Sequence, residues 1–239
     1  MLRDFSARRA LMVMCLCVLA PQALAQALAI VPISQQLPPQ QRSASFTLTN
    51  HSDTEALVQV RGYAWSQTDS DDTYTPTPEL AVSPPFAKIA PGQTQIIRIL
   101  LRKPAGPSEQ AFRVVFDQIP DRSTGKVEMA LRLTVPVFSN PQPAGHSDVQ
   151  WRLERVGDTP ILVAINHGTQ HAQLVNLSLK GADGRTIKLK GTGLPYLLSG
   201  TERRWPLVGG HDSPGKSLRV HLQTSGPGEH WDQWLEINY

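Results

Sequence analysis

The chain has almost no cysteine. Its 239 residues include two, Cys15 and Cys17, and both lie in the first twenty positions. This excludes a disulfide framework, a cysteine-ligated zinc site and a cysteine nucleophile from the rest of the protein. The sequence also lacks a glycine-rich phosphate loop, a Gly-x-Ser-x-Gly turn and a dinucleotide fingerprint. We therefore predict that the protein is not an enzyme and has no cofactor.

A strong charge of one sign is also missing. Lys and Arg total 23 against 20 Asp and Glu, and the first 25 residues hold three of these basic residues and one acidic residue. The remainder is close to neutral, so it has no basic field that would bind nucleic acid. Hydrophobic residues make up 40% of the chain and charged residues 18%, which argues for a packed core rather than disorder.

The first 25 residues have the pattern of an export signal. Three arginines precede an apolar run over 10–20, and Ala23-Leu24-Ala25 follows as a small-x-small cleavage site. As a helix this run rises about 16 Å, roughly half the thickness of a bilayer core, so a permanent membrane span is not expected. We predict cleavage after Ala25 and an exported protein with no membrane insertion.

After residue 25 the chain shows short alternating apolar runs and no sustained helical period, which predicts an all-β fold. A Pro/Gly-rich stretch interrupts the alternation. We predict an N-terminal β-sandwich over 26–140, a linker over 141–147 and a C-terminal β-sandwich over 148–239. The clearest predicted strands are 45–49, 56–63, 95–101, 111–116 and 127–137, followed by 148–153, 161–165, 172–179, 185–189, 216–224 and 231–237.

Two clusters invite a metal-site interpretation. His167 and His171 have a spacing that suits one face of a helix, but the glycine after His167 indicates a turn at the end of a strand. Asp69, Asp71 and Asp72 lack the spaced glycine and the closing glutamate of an EF-hand loop. We therefore predict no metal site.

The longest alternation of the chain covers 127–137. Its apolar side chains occupy every odd position and would share one face of an extended strand. An ordinary core strand shows the same pattern. Pro136 cannot donate a ladder hydrogen bond, which predicts an edge strand near that end. A long apolar edge strand promotes aggregation unless a partner pairs with it. The six apolar residues are Val127, Met129, Leu131, Leu133, Val135 and Val137.

Several short segments share their order and spacing with one known family. They are SPP at 83–85, IAPG at 89–92, Arg98, FDQIP at 116–120, VFSNP at 137–141, AINH at 164–167 and SGTERRWP at 199–206. On these segments the sequence resembles the periplasmic chaperones of the chaperone–usher pilus pathway, the PapD-like family, across essentially the whole chain after the leader. The resemblance implies two immunoglobulin-like β-sandwich domains joined at an angle.

The resemblance also implies a function and a location. Pilin subunits resemble sandwiches that lack their final strand, and a chaperone of this family lends one of its own strands. The six apolar residues of 127–137 would be the donor residues, and the location would be the periplasm. The implied partners are pilin or fimbrial subunits, an outer-membrane usher and, through the same edge, a second copy of the chain. Departures from the best-known members suggest an archaic-type branch.

One departure concerns the anchor for the C-terminal carboxylate of the subunit. The family holds it with two basic residues, but the corresponding positions here are Ser34 and Pro136. We predict that Arg113 is the anchor, because a hairpin would bring it near the interdomain end of the donor strand. Avoidance of Arg132 favours a register in which Arg113 faces Leu133 or Leu131, on the donor face. A solvated strand arginine is the alternative.

Two other functions stay open. A secreted pilin or adhesin subunit would carry a free, alternating N-terminal extension, but residues 26–36 alternate poorly and contain Pro32. An exported hydrolase or sugar-binding module would need a cleft with convergent aromatic groups. The second domain has four tryptophans, which fit core and hairpin positions better. They are Trp151, Trp205, Trp231 and Trp234.

Overall fold

The computed structural model describes residues 28–68, 71–103, 106–120, 130–140, 144–191, 195–208 and 217–237. Within these ranges every regular element is a β-strand, so the all-β prediction is confirmed. The same ranges contain no helix of a length and hydrophobicity that could cross a membrane. The predicted export signal and its cleavage site lie outside the described residues.

In the described part of the N-terminal half, ten strands form two facing sheets. One sheet has the order β1-β3-β8-β6, and the other has the order β2-β10-β9-β4-β5, with β7 also paired to β4. The strands are β1 (Leu28–Val31), β2 (Gln35–Leu37), β3 (Ser43–Asn50), β4 (Ala56–Thr68), β5 (Asp71–Pro76), β6 (Leu80–Ser83), β7 (Phe86–Ile89), β8 (Thr94–Leu101), β9 (Gln110–Ile119) and β10 (Arg132–Ser139).

The core of this half lies between the two sheets and follows directly from the alternation. In β8, Ile97, Ile99 and Leu101 are buried while the residues between them are exposed, because successive side chains of a strand point to opposite faces. Phe46 and Phe116 come from opposite sheets and meet edge to face with ring centroids 5.7 Å apart. Each buried side chain of this size contributes about 1.5–3 kcal/mol through burial.

The described residues of the C-terminal half form nine strands, seven of them in one sheet of order β11-β12-β17-β15-β14-β18-β19. The sheet curls until its two end strands meet. The ring centroids of Trp151 on β11 and Trp231 on β19 are 6.4 Å apart. The strands are β11 (Val149–Val156), β12 (Thr159–Asn166), β13 (Ala172–Gln173), β14 (Val175–Gly181), β15 (Thr186–Leu189), β16 (Tyr196–Leu197), β17 (Glu202–Val208), β18 (Leu218–Gly226) and β19 (Glu229–Ile237).

Two predicted strands differ from the observed ones. The stretch 172–179 is not one strand, because the backbone N–H of Leu174 donates to the carbonyl of Pro195 and separates β13 from β14. The stretch 127–137 becomes a strand only at Arg132 and continues to Ser139, and residues 127–129 lie outside the described part.

The two halves are held together by direct contacts. Trp65, Phe138 and Leu198 form a buried apolar cluster between them. The side-chain amide of Gln67 donates to the carbonyl of Tyr196 at 2.9 Å, and its oxygen accepts from the Leu198 N–H at 2.9 Å and the Thr201 hydroxyl at 3.0 Å. This interface therefore fixes the C-terminal end of β10, where Phe138 lies.

Candidate functional site

Among the described residues, strand β10 has one edge that is only partly paired. On one side it pairs antiparallel with β9 along its whole length, from Arg132 opposite Asp117 to Ser139 opposite Gln110. On its other side it pairs with β2 only through Val137 and the two residues after it. Among the described residues, 132–136 thus have no strand on that side.

The hydrogen-bond pattern shows which backbone groups face this edge. The N–H of Gln118 donates to the carbonyl of Leu131 at 2.8 Å, so the odd residues of the strand form the hydrogen-bonded pairs with β9. Arg132 and Thr134 therefore point their N–H and C=O groups toward the open edge. The nitrogen of Pro136 faces the same way, so its missing N–H removes no ladder bond. The edge-strand interpretation of Pro136 is thus confirmed up to the point where β2 begins.

The six predicted donor residues have different environments. Val135 and Val137 are 4% and 0% exposed and belong to the core of their own sandwich. Both therefore correspond to the core-strand alternative, and their side chains cannot enter another protein without opening that core. Leu131 and Leu133 are only partly buried and pack against the margin of the core. Val127 and Met129 lie outside the described residues.

Arg113 lies on the opposite face from the one predicted. It is directly opposite Pro136, not Leu131 or Leu133, and residues that face each other across a ladder share a face. The prediction of its register was therefore wrong. Avoidance of Arg132 left several registers open, and the observed one places Asp117 opposite Arg132, where the charges attract.

The Arg113 side chain occupies an aromatic cage at the domain interface. It is 2% exposed, and its guanidinium carbon lies 3.7 Å from the centre of the Trp65 ring, 5.7 Å from that of Tyr196 and 6.0 Å from that of Tyr74. Burial lowers the pKa of this guanidinium, although nearby Tyr74 and Asp72 oppose the shift. Its Nε and Nη2 atoms have no hydrogen-bond partner among the described residues.

Asp117, which the sequence analysis did not single out, joins three strands. Its carboxylate contacts Nη2 of Arg61 on β4 at 2.5 Å and Nε of Arg132 on β10. Burial alone would raise the pKa of this carboxyl, but the hydrogen bonds from Arg61 and Arg132 lower it below its usual value. The opposite charges at 117 and 132 would have indicated the pair once the hairpin register was known.

The described residues of the two candidate metal clusters, the histidine pair and the aspartate cluster, do not form a metal site. His171 is stacked on Phe138 with ring centroids 3.7 Å apart, and its Nδ1 lies 2.7 Å from the carboxylate of Glu109. His167 is exposed, and its ring nitrogen lies 3.4 Å from the side-chain oxygen of Gln150. Among the described residues, no three His, Cys, Asp or Glu side chains are grouped closely enough to hold a metal ion. Asp69 lies outside that part of the chain.

The tryptophans of the C-terminal half do not converge on a cleft. Trp151 and Trp205 are buried and stacked with ring centroids 6.0 Å apart. Trp234 is exposed, but Arg219 lies over its ring at 4.6 Å from the centroid and His221 stacks at 4.8 Å. The exposed indole thus already has two side chains packed on it.

Comparisons with known proteins agree with this architecture. Residues 30–144 match the family described as "Pili and flagellar-assembly chaperone, PapD N-terminal domain". No curated protein matches the sequence. Solved structures that match over most of their length include a chain of the CsuC–CsuE chaperone–tip adhesion subunit complex from the archaic Csu pili of Acinetobacter baumannii. It is 21% identical with a TM-score of 0.67, and the match covers 88% of this chain and 98% of that chain.

Two further structures show the same fold. The YadV chaperone is 15% identical with a TM-score of 0.63, over 89% of this chain and 100% of that chain. A chain of the Salmonella enterica SafA pilin–SafB chaperone complex is 15% identical with a TM-score of 0.60, over 90% of this chain and 97% of that chain. The predicted pair of immunoglobulin-like sandwiches is therefore confirmed, and residues 30–144 match the N-terminal domain of the PapD-like pilus-assembly chaperones.

Proposed function

We propose that this protein is a periplasmic chaperone that binds unfinished pilin subunits by donor-strand complementation and delivers them to an outer-membrane usher. The observation that carries the proposal is the open edge of β10 over 132–136, which includes the half-buried Leu133 and directly follows the half-buried Leu131. The export pattern over 1–25 supports the periplasmic location.

The edge can offer a client both hydrogen bonds and apolar contact. Arg132 and Thr134 would pair with a client strand, as in β-strand addition. Leu131 and Leu133, extended by Val127 and Met129, would fill the groove left by the missing strand. Each such side chain contributes about 1.5–3 kcal/mol when fully buried.

Selectivity follows from the cost of association. Forming a complex costs an estimated 4–15 kcal/mol, which is similar to the whole gain from four apolar side chains. A completed pilin has no open groove and would gain little. A subunit that lacks its last strand removes its own exposed apolar surface from water at the same time, so it binds with a net gain.

Arg113 remains our proposed anchor for the C-terminal carboxylate of the subunit. A buried cation with unpaired donors is costly, and a carboxylate is the group that would satisfy both free nitrogens. The carboxylate would enter beside Tyr74, which is partly exposed at the rim of the cage.

Two related points belong to the proposal. The same open edge would allow two free chaperones to pair with each other. The uncharged Ser34 and Pro136, together with the likeness to the Csu complex, support an archaic-type branch. A role as a structural pilin has less support, since Leu28–Val31 already pairs with β3 instead of forming a free extension.

Co-expression with pilin subunits of the same organism tests the function. We expect the subunits to co-purify with the parent protein and the yield to fall at least tenfold for Leu133→Asp, because a charge would enter the apolar groove. Ile96→Asp is the matched control, since Ile96 is a half-exposed strand residue on the outer face of the other sheet. Equal yields from both variants would overturn the proposal.

The anchor needs its own variant. Arg113→Gln should weaken subunit capture about tenfold or more, which is the usual effect of losing a hydrogen-bonded charge. Arg185→Gln removes an arginine from an exposed turn and should have no effect. Unchanged capture by Arg113→Gln would remove Arg113 from the site.

A further inference from the structure

The two ends of β10 are held by different contacts. At its C-terminal end, β2 pairs with Val137 to Ser139, and Phe138 is enclosed in the domain interface. At its N-terminal end, the described residues include neither a second pairing strand nor a contact with the other domain. The backbone bond between Gln118 and Leu131 is the last one that the described residues make in this direction.

An ionic contact takes the place of these supports at the N-terminal end. The Asp117 carboxylate bonds Arg61 through one oxygen and Arg132 through the other, which ties the outer faces of β4, β9 and β10 together. The Asp117 side chain is 16% exposed and that of Arg132 is 67% exposed. The acid is thus sheltered by the sheet, while the arginine that it holds is the first residue of the strand.

We propose that Asp117 is a positioning residue that keeps the open end of β10 in register for the client. It does so by holding Arg132 on the outer face, which keeps the neighbouring Leu131 and Leu133 on the inner face. Side chains alternate along a strand, so a local slip by one residue would turn both leucines outward.

The contact between Asp117 and Arg132, which we call the clamp, also affects the hydrogen-bonding groups that a client would meet. With Arg132 held opposite Asp117, the N–H and C=O groups of Arg132 and Thr134 stay directed at the open edge. A donor strand that is ordered before binding loses less conformational entropy when the client pairs with it. Losing the clamp would therefore slow capture without removing any atom that contacts the client.

Amide hydrogen exchange by NMR in the free protein tests the clamp directly. The N–H groups of Leu133 and Val137 both bond to β9 by the pairing pattern, but only Leu133 lies at the clamped end. In Asp117→Asn we expect exchange at Leu133 to accelerate about twofold to fivefold, the range for a partly exposed ion pair, and exchange at Val137 to stay unchanged.

Three more variants complete the experiment. Asp117→Glu keeps the carboxylate and should restore most of the protection at Leu133. Arg132→Gln should reproduce the effect of Asp117→Asn, and it replaces that variant should Asp117→Asn fail to fold. Asp183→Asn is the control, because it removes an exposed ion pair with Arg185 in the other domain.

The role of Asp117 in presenting the strand to a client rests on the proposed function. The exchange measurement itself needs no client. Unchanged exchange at Leu133 in both clamp variants would overturn the assignment. Equal acceleration at Leu133 and Val137 would overturn it too, because that result means general destabilisation. Selective acceleration at Leu133 supports it, whether or not pilin subunits bind. Failure of subunits to co-purify with the parent protein would overturn the function and leave the clamp standing.

Discussion

The two halves of β10 share one sequence pattern but have different environments. In the C-terminal half, Val135 and Val137 are buried in their own sandwich and β2 covers the edge. In the N-terminal half, Leu133 and the Leu131 that precedes the strand are partly exposed beside an edge with no neighbour in the described part of the chain. One alternating strand can therefore have two environments, with one half anchored in its own domain and the other half unpaired at its edge among the described residues.

The largest expected effect tests this division directly. Val137→Asp should lower the free energy of unfolding by about 3–5 kcal/mol, because it leaves an unpaired charge in the core. Leu133→Asp should lower it by about 1 kcal/mol or less, because water reaches that side chain. Chemical denaturation measures both. Similar losses in the two variants would contradict the division of the strand.

A second variant tests the anchoring of β10 in the domain interface. Phe138→Ala should cost about 3–5 kcal/mol, because the ring is packed between Trp65, Tyr196 and His171. Phe86→Ala is the matched control, since Phe86 is 52% exposed and should contribute little. Denaturation curves of the two variants check this. A small loss for Phe138→Ala would mean that the interface does not hold the strand.

A third, smaller effect concerns the polar part of the same interface. Gln67→Ala leaves the N–H of Leu198, the hydroxyl of Thr201 and the carbonyl of Tyr196 without this partner. We expect a loss of about 1–3 kcal/mol, mainly the cost of the unsatisfied Leu198 N–H, because Arg203 still donates to the carbonyl of Tyr196 and Thr201 to that of Leu198. We also expect residual dipolar couplings to report a change in the relative orientation of the domains. Gln95→Ala, on the exposed part of β8, should alter neither quantity.

The smallest effect concerns pH at the open end. The folded state lowers the pKa of Asp117 below the usual value of 3.8, so its contribution to stability is present above that value and is lost as the pH falls through the lowered pKa. The difference in the exchange protection of the Leu133 amide between the parent and Asp117→Asn should therefore be present at about pH 6 and decrease below about pH 4. A difference that stays constant across this range would contradict the ionic contact.

Much of the fold could be predicted because it depends on local alternation. The strands at 95–101 and 111–116, for example, lie within the observed β8 and β9. The face occupied by Arg113 could not be predicted in the same way. It depends on how β9 and β10 align, and alternation within each strand does not determine the alignment between them. The aromatic cage was missed for a similar reason, since Trp65 and Tyr196 are more than a hundred positions apart.

The sequence by itself determined the two-residue period of β10, the missing N–H of Pro136 and the absence of cysteine after Cys17, because these are properties of the residues and their order. Only the tertiary structure decided which of the alternating side chains are enclosed. That outcome depends on β2 and on the loop around Leu198, which reach the strand from distant parts of the chain. Burial depends on what packs against a residue, and a pattern within one strand carries no information about that neighbour.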